Sequence, residues 1–340
     1  MSKLVTYLRS PLFVWWDITY RCNLHCKQCY SNSGKFSVHE LNTREAKKVI
    51  KQLKEMKVFY IYFLGGEPFL RKDFLEIAKY CYSMEIPVMV NSNGWFIDED
   101  TAKRIKESNI HHVRVSIDGA TPDTHDSIRG VRGSFKRAIR AIELLKKYEI
   151  AVVSVSPTIM QENFSEVPSI IDLASKYGAS EIQFVQLCSV GRGKQVNPLS
   201  IAQLNQLKLI LNQKKKDYEE KIRVEATPGL LEEKCSLCWN ANPEKHIVMF
   251  GCQAGRSAMN IGADGLVMPC LLDRRTVGNL RKQSLKQIWE SAPKFVESRT
   301  VSDICVTCQH QNICSQECPI QGKTLADQIR KVYLAQKGGD

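Results

Sequence analysis

Short apolar runs and amphipathic stretches alternate along the first 190 residues. The runs FVWWDIT (13–19), FYIYFLG (59–65), PVMVNS (87–92), HHVRVSI (111–117), AVVSVSP (151–157) and EIQFVQL (181–187) are rich in Val, Ile, Phe and Tyr. Such residues suit a pleated, buried surface, so these runs predict strands. Between them lie TREAKKVIKQLKEM (43–56), KDFLEIAKYCYSM (72–84), EDTAKRIKES (99–108), GSFKRAIRAIELLKKY (133–148) and SEVPSIIDLASKYG (165–178). Apolar residues recur there at three- and four-residue spacing, which predicts helices. Six βα units imply an α/β fold with a parallel sheet, open or curved toward a barrel. In such folds chemistry gathers at the carboxyl ends of the strands.

The residues after each strand fit that rule. A cysteine-rich loop follows the first, GGEP the second and NSNG the third. The fourth runs through Ser116 into IDGATPDTHDSIRG, and CSVGRG follows the sixth. Beyond residue 198 the pattern changes: residues 200–221 read as one long charged helix, and cysteines become dense from Cys235. SLKQIWES (284–291) is one modest helix there. The expected organisation is a core over 1–200, a helical bridge over 201–234 and a small metal-stapled domain over 235–340.

Composition narrows the class. The chain of 340 residues is 43% apolar and 25% charged, ordinary for a globular protein. No apolar run approaches the ~20 residues that span a bilayer, and the first residues lack a secretory signal pattern. The expected location is the cytoplasm, with no membrane association. Thirteen cysteines are many for that reducing compartment, so clustered ones point to metal binding or catalysis rather than disulfides. Cys81 falls in a helical stretch and reads as a packing residue; Cys188 ends a strand and is more open. Trp15, Trp16 and Trp239 also read as packing residues. The net charge of +12 fits a lysine-rich solvated surface or an acidic partner. No arginine-rich tract or aromatic–basic alternation points to nucleic acid.

The chemistry concentrates in TYRCNLHCKQCYSNSG, where Cys22, Cys26 and Cys29 fall within eight residues. A closed zinc site wants four ligands, for which His25 or His39 is available. An iron–sulfur cubane on three cysteines instead leaves one iron open.

The cysteine loop after the first strand, with GGEP after the second, resembles the radical S-adenosylmethionine (SAM) superfamily. The likeness implies a partial (β/α)6 TIM-like barrel in which Cys22, Cys26 and Cys29 hold a 4Fe–4S cluster that chelates SAM. It further implies that Gly65, Gly66, Glu67 and Pro68 receive the methionine amino group. Asn93, Ser116 and Asp118 would line the SAM ribose or carboxylate, and Arg129 would face that carboxylate. Gly191, in VGRG, would lie near the adenine. Gln28 departs from the aromatic or histidine often found before the third cysteine; Tyr30 is the candidate to replace its stacking.

The second cysteine set resembles the SPASM (twitch-like) extension of these enzymes, which carries auxiliary iron–sulfur clusters. By that likeness Cys252, Cys270 and Cys318 serve one cluster and Cys305, Cys308 and Cys314 the other. The family's usual seventh cysteine is missing, so Asp303, Gln316 or Glu317 is a candidate replacement, or an iron stays open. Cys235 and Cys238 are extra, and are candidates to complete the first auxiliary cluster or to form a separate functional pair. One or two auxiliary clusters are expected.

The resemblance to pyrroloquinoline quinone and mycofactocin maturases implies oxidative modification of a ribosomally made peptide: a crosslink, an oxidation or a decarboxylation. Only 21 residues precede Cys22, so a leader-binding module is expected on a separate protein. The alternative is maturation of a small cofactor or tetrapyrrole, as in haem synthesis; a non-catalytic iron–sulfur or zinc protein is the reading from another class. A flavodoxin- or ferredoxin-type electron donor is implied.

Overall fold

The structure, a computed structural model, describes residues 8–34, 38–226 and 254–297. Six strands pair in parallel and in chain order: β1 (Phe13–Thr19), β2 (Tyr60–Gly65), β3 (Val88–Ser92), β4 (His112–Val115), β5 (Val152–Val155) and, after the two-residue β6 (Thr158–Ile159), β7 (Glu181–Gln186). Helices α1 (Thr43–Glu55), α2 (Phe74–Ser83), α3 (Glu99–Glu107), α4 (Pro122–Arg129), α5 (Ser134–Lys147) and α6 (Val167–Lys176) alternate with them. This is the parallel sheet that the apolar pattern predicts, and the partial barrel that the resemblance implies. No hydrogen-bonded pairing joins the two ends of the sheet among the described residues.

Local chemistry explains the helix starts. Asn42 caps α1 and exchanges hydrogen bonds with Glu45: the Glu45 N–H reaches Asn42 Oδ1 at 3.0 Å, and the Asn42 N–H reaches Glu45 Oε2 at 2.8 Å. Asp98 caps α3 by accepting from the Thr101 N–H at 2.9 Å. Helix α4 forms within the polar run that follows the fourth strand. Thr121 caps it, Pro122 opens it and Gly130, at φ 72°, ends it in the left-handed conformation.

The two faces of the sheet do different work. Val14, Trp16, Ile61, Phe63, Val113 and Val153 point outward and join the apolar stripes of the helices in one buried core. The inner face is polar. Tyr62 donates to Asn91 Oδ1 at 2.6 Å, and Arg114 reaches Ser154 Oγ and Glu181 Oε1, each at 3.2 Å. Trp16 and Cys81 are wholly buried in the core, as packing residues should be, whereas Trp15 lies half-buried with its edge against Phe13.

The described later segments extend the same sheet at both edges. Helix α7 (Ile201–Asp217) begins the bridge, with Leu207 and Leu211 in the main core. It leads into β8 (Arg223–Ala226), which adds in parallel to β7. Within the segment assigned to a separate small domain, β9 (Ala258–Ile261) pairs in parallel with β1. Strands β10 (Leu266–Met268) and β11 (Gly278–Asn279) follow antiparallel. The physical reason is the open edge of β1, whose N–H and C=O groups need partners that β9 supplies. Helix α8 (Leu285–Glu297) closes the described chain, with Trp289 Nε1 donating to the Leu8 carbonyl at 2.9 Å. No described helix is long and apolar enough to cross a membrane.

Candidate functional site

The loop after β1 folds into a closed turn, with the Gly34 N–H on the Tyr20 carbonyl at 2.9 Å. Burial alternates along it: Leu24, Cys26 and Gln28 point in, while Arg21, His25 and Lys27 point out. Cys22 and Cys29 are half-buried. Three neighbouring strand ends grip the loop from outside. The C-terminus of α4 takes its middle, where the His25 and Lys27 N–H groups donate to the Arg129 and Ile128 carbonyls at 3.1 and 2.9 Å. The turn after β7 takes its far side. Arg192 donates from Nε to the Cys26 carbonyl at 2.7 Å and from Nη1 to the Ser33 carbonyl at 3.2 Å.

The glycines of the second and sixth strand ends lie directly against the cysteine loop. A Cβ on Gly65 would lie 2.3 Å from the Thr19 carbonyl oxygen, and one on Gly66 would lie 2.0 Å from that of Arg21. Gly191, at φ 58°, would place a Cβ 2.4 Å from both the Cys29 and Tyr30 carbonyl oxygens. All three let backbone pack directly on the cysteine loop. Pro68 is buried and opens the short turn Pro68–Leu70.

Glu67, expected by resemblance at the SAM ammonium, is held in place by donors of its own chain. Its carboxylate has no exposure and accepts from Ser92 Oγ, the Asn93 N–H and the Phe69 N–H at 2.9, 2.7 and 3.1 Å. It therefore braces the ends of β2 and β3 against each other. Burial pushes its pKa from 4.5 up to about 7, against the pull of those donors. The folded protein then holds this proton more tightly than the unfolded chain. Stability falls as pH rises from 4.5 to about 7, and no further above it. The loss amounts to at most about 3 kcal/mol. Urea denaturation of the cluster-free protein at pH 5 and pH 8 is expected to show this drop in the wild type and to lack it in Glu67→Gln.

Asp118, expected by resemblance along the SAM ribose or carboxylate, is likewise held by its own chain. It is wholly buried, accepts from the Thr158 N–H at 2.7 Å and from Gln28 Nε2, and pairs with Arg129 Nε at 2.7 Å. Its carboxylate aims two other site residues. Arg129 is held with Nη1 3.8 Å from Cys26 Sγ, a cation beside the thiols. Gln28 is held by its amide nitrogen, and its buried Oε1 has no protein partner among the described residues. Asn93 donates from Nδ2 to Asn23 Oδ1 at 2.9 Å, tying the β3 end to the loop. Asn23 Nδ2 is likewise buried without a partner among the described residues. Ser116 is half-buried at the end of β4. The Tyr30 hydroxyl donates to Asp17 Oδ1 at 3.1 Å.

This cradle fits the implied group. Burial raises the Cys22 thiol to about 12 and also raises Cys26, which Arg129 partly opposes. Thiolates there need added positive charge, which bound iron supplies. The three sulfurs feel one another's charge. Yet no three His, Cys, Asp or Glu side chains among the described residues converge as ligands of one ion. The unpartnered Gln28 Oε1 and Asn23 Nδ2 add an acceptor and a donor of the kind a polar nucleotide would meet.

Of the second cysteine set, Cys270 lies in the described part. It follows β10, and its Sγ accepts from the Asp273 N–H at 3.2 Å. Cys235, Cys238, Cys252, Cys305, Cys308, Cys314 and Cys318 lie outside the described residues, as do Trp239, Asp303, Gln316 and Glu317. Cys188 is half-buried after β7. The sequence reading missed Arg192, Asn23 and Asp17. A lone carboxylate inside the apolar run FVWWDIT was the signal available for the last.

The comparisons agree with this geometry. The Radical SAM superfamily profile matches residues 16–174, and the SPASM iron–sulfur cluster-binding domain matches residues 252–319. Mycofactocin maturase MftC of Mycobacterium ulcerans is 30% identical over 331 residues, covering 92% of this chain and 84% of that protein. AdoMet-dependent heme synthase of Methanosarcina barkeri is 26% identical, covering 92% of each chain. The fold is shared with Streptococcus suis SuiB bound to precursor peptide SuiA, at TM-score 0.76 and 18% identity, over 92% of this chain and 72% of that one. With its cysteine loop, its parallel partial barrel and these relatives, the chain belongs to the radical SAM superfamily and carries a C-terminal SPASM domain.

Proposed function

We propose that this enzyme oxidatively modifies a ribosomally made peptide by radical SAM chemistry, installing a crosslink, an oxidation or a decarboxylation. The observation that carries the chemistry is the gripped loop of Cys22, Cys26 and Cys29, with Arg129 at the sulfur of Cys26. When bound there, a 4Fe–4S cluster supplies the electron that splits SAM into methionine and a 5′-deoxyadenosyl radical. The chain's own residues prepare the site. Arg192, Gly66 and Gly191 hold the loop rigid, and Glu67 and Asp118 lock the strand ends around it. Gln28 presents a free acceptor and Asn23 a free donor toward the SAM nucleotide. Cys270, with the cysteines beyond the described residues, serves one or two auxiliary clusters in the SPASM region.

The peptide substrate is supported by the mycofactocin maturase relatives. The relative named as a heme synthase favours a second reading, maturation of a tetrapyrrole or another small cofactor precursor. A flavodoxin- or ferredoxin-type donor and a separate leader-binding protein complete the scheme. The test is anaerobic reconstitution with SAM, a strong reductant and candidate precursor peptides, read by mass spectrometry. Loss of two hydrogens, or of a carboxyl group, from a peptide is the expected result. Turnover of a porphyrin with every peptide left intact selects the second reading.

A further inference from the structure

Asp17 is the one charged residue in the apolar run of β1, and it has no solvent exposure. A carboxylate in that position costs several kcal/mol unless its oxygens are satisfied. Its three partners come from three separate parts of the chain. Tyr30, next to Cys29, donates its hydroxyl at 3.1 Å. Asn260, on β9, donates from Nδ2 at 3.2 Å. Arg274, four residues after Cys270, pairs through Nη1 at 2.7 Å. The same guanidinium reaches back to the start of the cysteine loop: Nη2 donates to the Tyr20 hydroxyl at 3.3 Å, and the group lies over the Tyr20 ring at 5.5 Å. One ion pair thus ties both ends of the cysteine loop to the segment that bears Cys270.

A buried ion pair is a poor way to gain stability, because an apolar pair of similar size does as well or better. Here its placement adds something an apolar pair lacks. It sets a fixed, balanced charge in contact with Tyr30, the residue after Cys29, and within four residues of Cys270.

We propose that Asp17 and Arg274 are a positioning pair that fixes the Cys270 segment against the cysteine loop and, by their charge balance, tunes the reduction potential of the iron–sulfur group at Cys22, Cys26 and Cys29. This rests on the reading that those cysteines hold a cluster. Removing the carboxylate alone leaves an uncompensated guanidinium, which favours the more negative, reduced cluster. Removing the guanidinium alone leaves a carboxylate still held by Tyr30 and Asn260, which disfavours it.

The experiment is a redox titration of the full-length, anaerobically reconstituted enzyme. It follows the low-temperature spin-resonance signal that changes when SAM is added. In Asp17→Asn the ratio of reduced to oxidised cluster at a fixed poise is expected to rise on the order of tenfold. Arg274→Gln is expected to lower it, and the double variant to return close to the wild type. A merely structural role predicts iron loss in both single variants with no opposed shifts. An unmoved potential in Asp17→Asn, or a double variant that keeps the single variant's shift, overturns the proposal. A wild type with no SAM-responsive signal overturns the cluster reading, and this proposal with it. If Asp17→Asn does not fold, Arg274→Lys against Arg274→Gln decides: lysine should hold the wild-type potential and glutamine lower it, and equal potentials overturn the pair.

Discussion

Cys26→Ala is expected to abolish SAM cleavage and remove the iron of the first site, while the polypeptide stays folded. Cys26 is the buried middle member of its loop, 8% exposed, with Arg129 beside its sulfur. Its neighbours in the chain are anchored by backbone bonds to α4 and by Arg192, none of which uses the thiol. Losing the sulfur therefore leaves the loop standing. Truncation of so small a side chain costs about 1 kcal/mol of stability. What disappears is one of three covalent anchors, and two thiolates do not hold a cubane with one open corner. 5′-Deoxyadenosine formation under reducing conditions should fall to background, with iron and sulfide reduced by one cluster and the melting temperature of the cluster-free protein little changed. The control is Cys81→Ala. That thiol is wholly buried in α2, away from the site, and its removal should leave SAM cleavage intact. Full cleavage in Cys26→Ala would end the assignment of the first cluster.

Gly66→Ala is expected to damage the site through the backbone alone. The added methyl would sit 2.0 Å from the Arg21 carbonyl oxygen, 2.6 Å from its carbon and 3.0 Å from that of Tyr20. All three are main-chain atoms that cannot rotate away. The strand end must lift, which breaks the Gly66 N–H bond to Thr19 and the Glu67 N–H bond to Arg21, at 2.7 and 2.9 Å. Overpacking plus two strained buried hydrogen bonds amounts to roughly 4 kcal/mol, a large part of typical domain stability. Gly133 supplies the comparison. Its φ is 85°, yet a Cβ there would meet nothing within 4 Å. Gly133→Ala should cost only about 1–2 kcal/mol of backbone strain. Denaturation of the cluster-free variants measures the difference, and iron retention after reconstitution shows whether the loop has moved. Equal stabilities would mean that the GGEP glycines serve only the ligand.

How much of this was legible in the chain depended on the kind of information involved. Strand β1 falls on Phe13–Thr19 as its apolar run predicts, and the other barrel strands and helices end within a few residues of expectation. Those elements announce themselves by periodicity, because each buries one face against one core. Helix α4 did not, since PDTHDSIR carries almost no apolar stripe; its signals were the Thr121–Pro122 start and Gly130 stop. Strands β8, β9, β10 and β11 are two to four residues long, too short for a pattern to form.

The site divides in the same way. Residue types and spacing in CNLHCKQC and GGEP pointed to the cofactor class, because a metal–sulfur group needs particular atoms close together along the chain. The roles of individual side chains were another matter. Glu67 and Asp118 carry the right chemistry for a ligand, but their carboxylates are taken by Ser92, Asn93, Thr158 and Arg129. Arg192 holds a carbonyl 166 positions away, and Arg274 pairs with a carboxylate 257 positions away.

By itself, then, the amino-acid sequence determined the repeated strand–helix units of a parallel sheet and the thiol set, since hydrophobic period and local ligand spacing are properties of contiguous residues. Only the tertiary structure decided which polar groups brace the loop and which stay free for a nucleotide. It also decided where β9 enters the sheet and that Asp17 meets Arg274. A buried hydrogen bond or ion pair depends on the distance and angle between groups far apart in the chain, and those are settled when the sheet and helices pack.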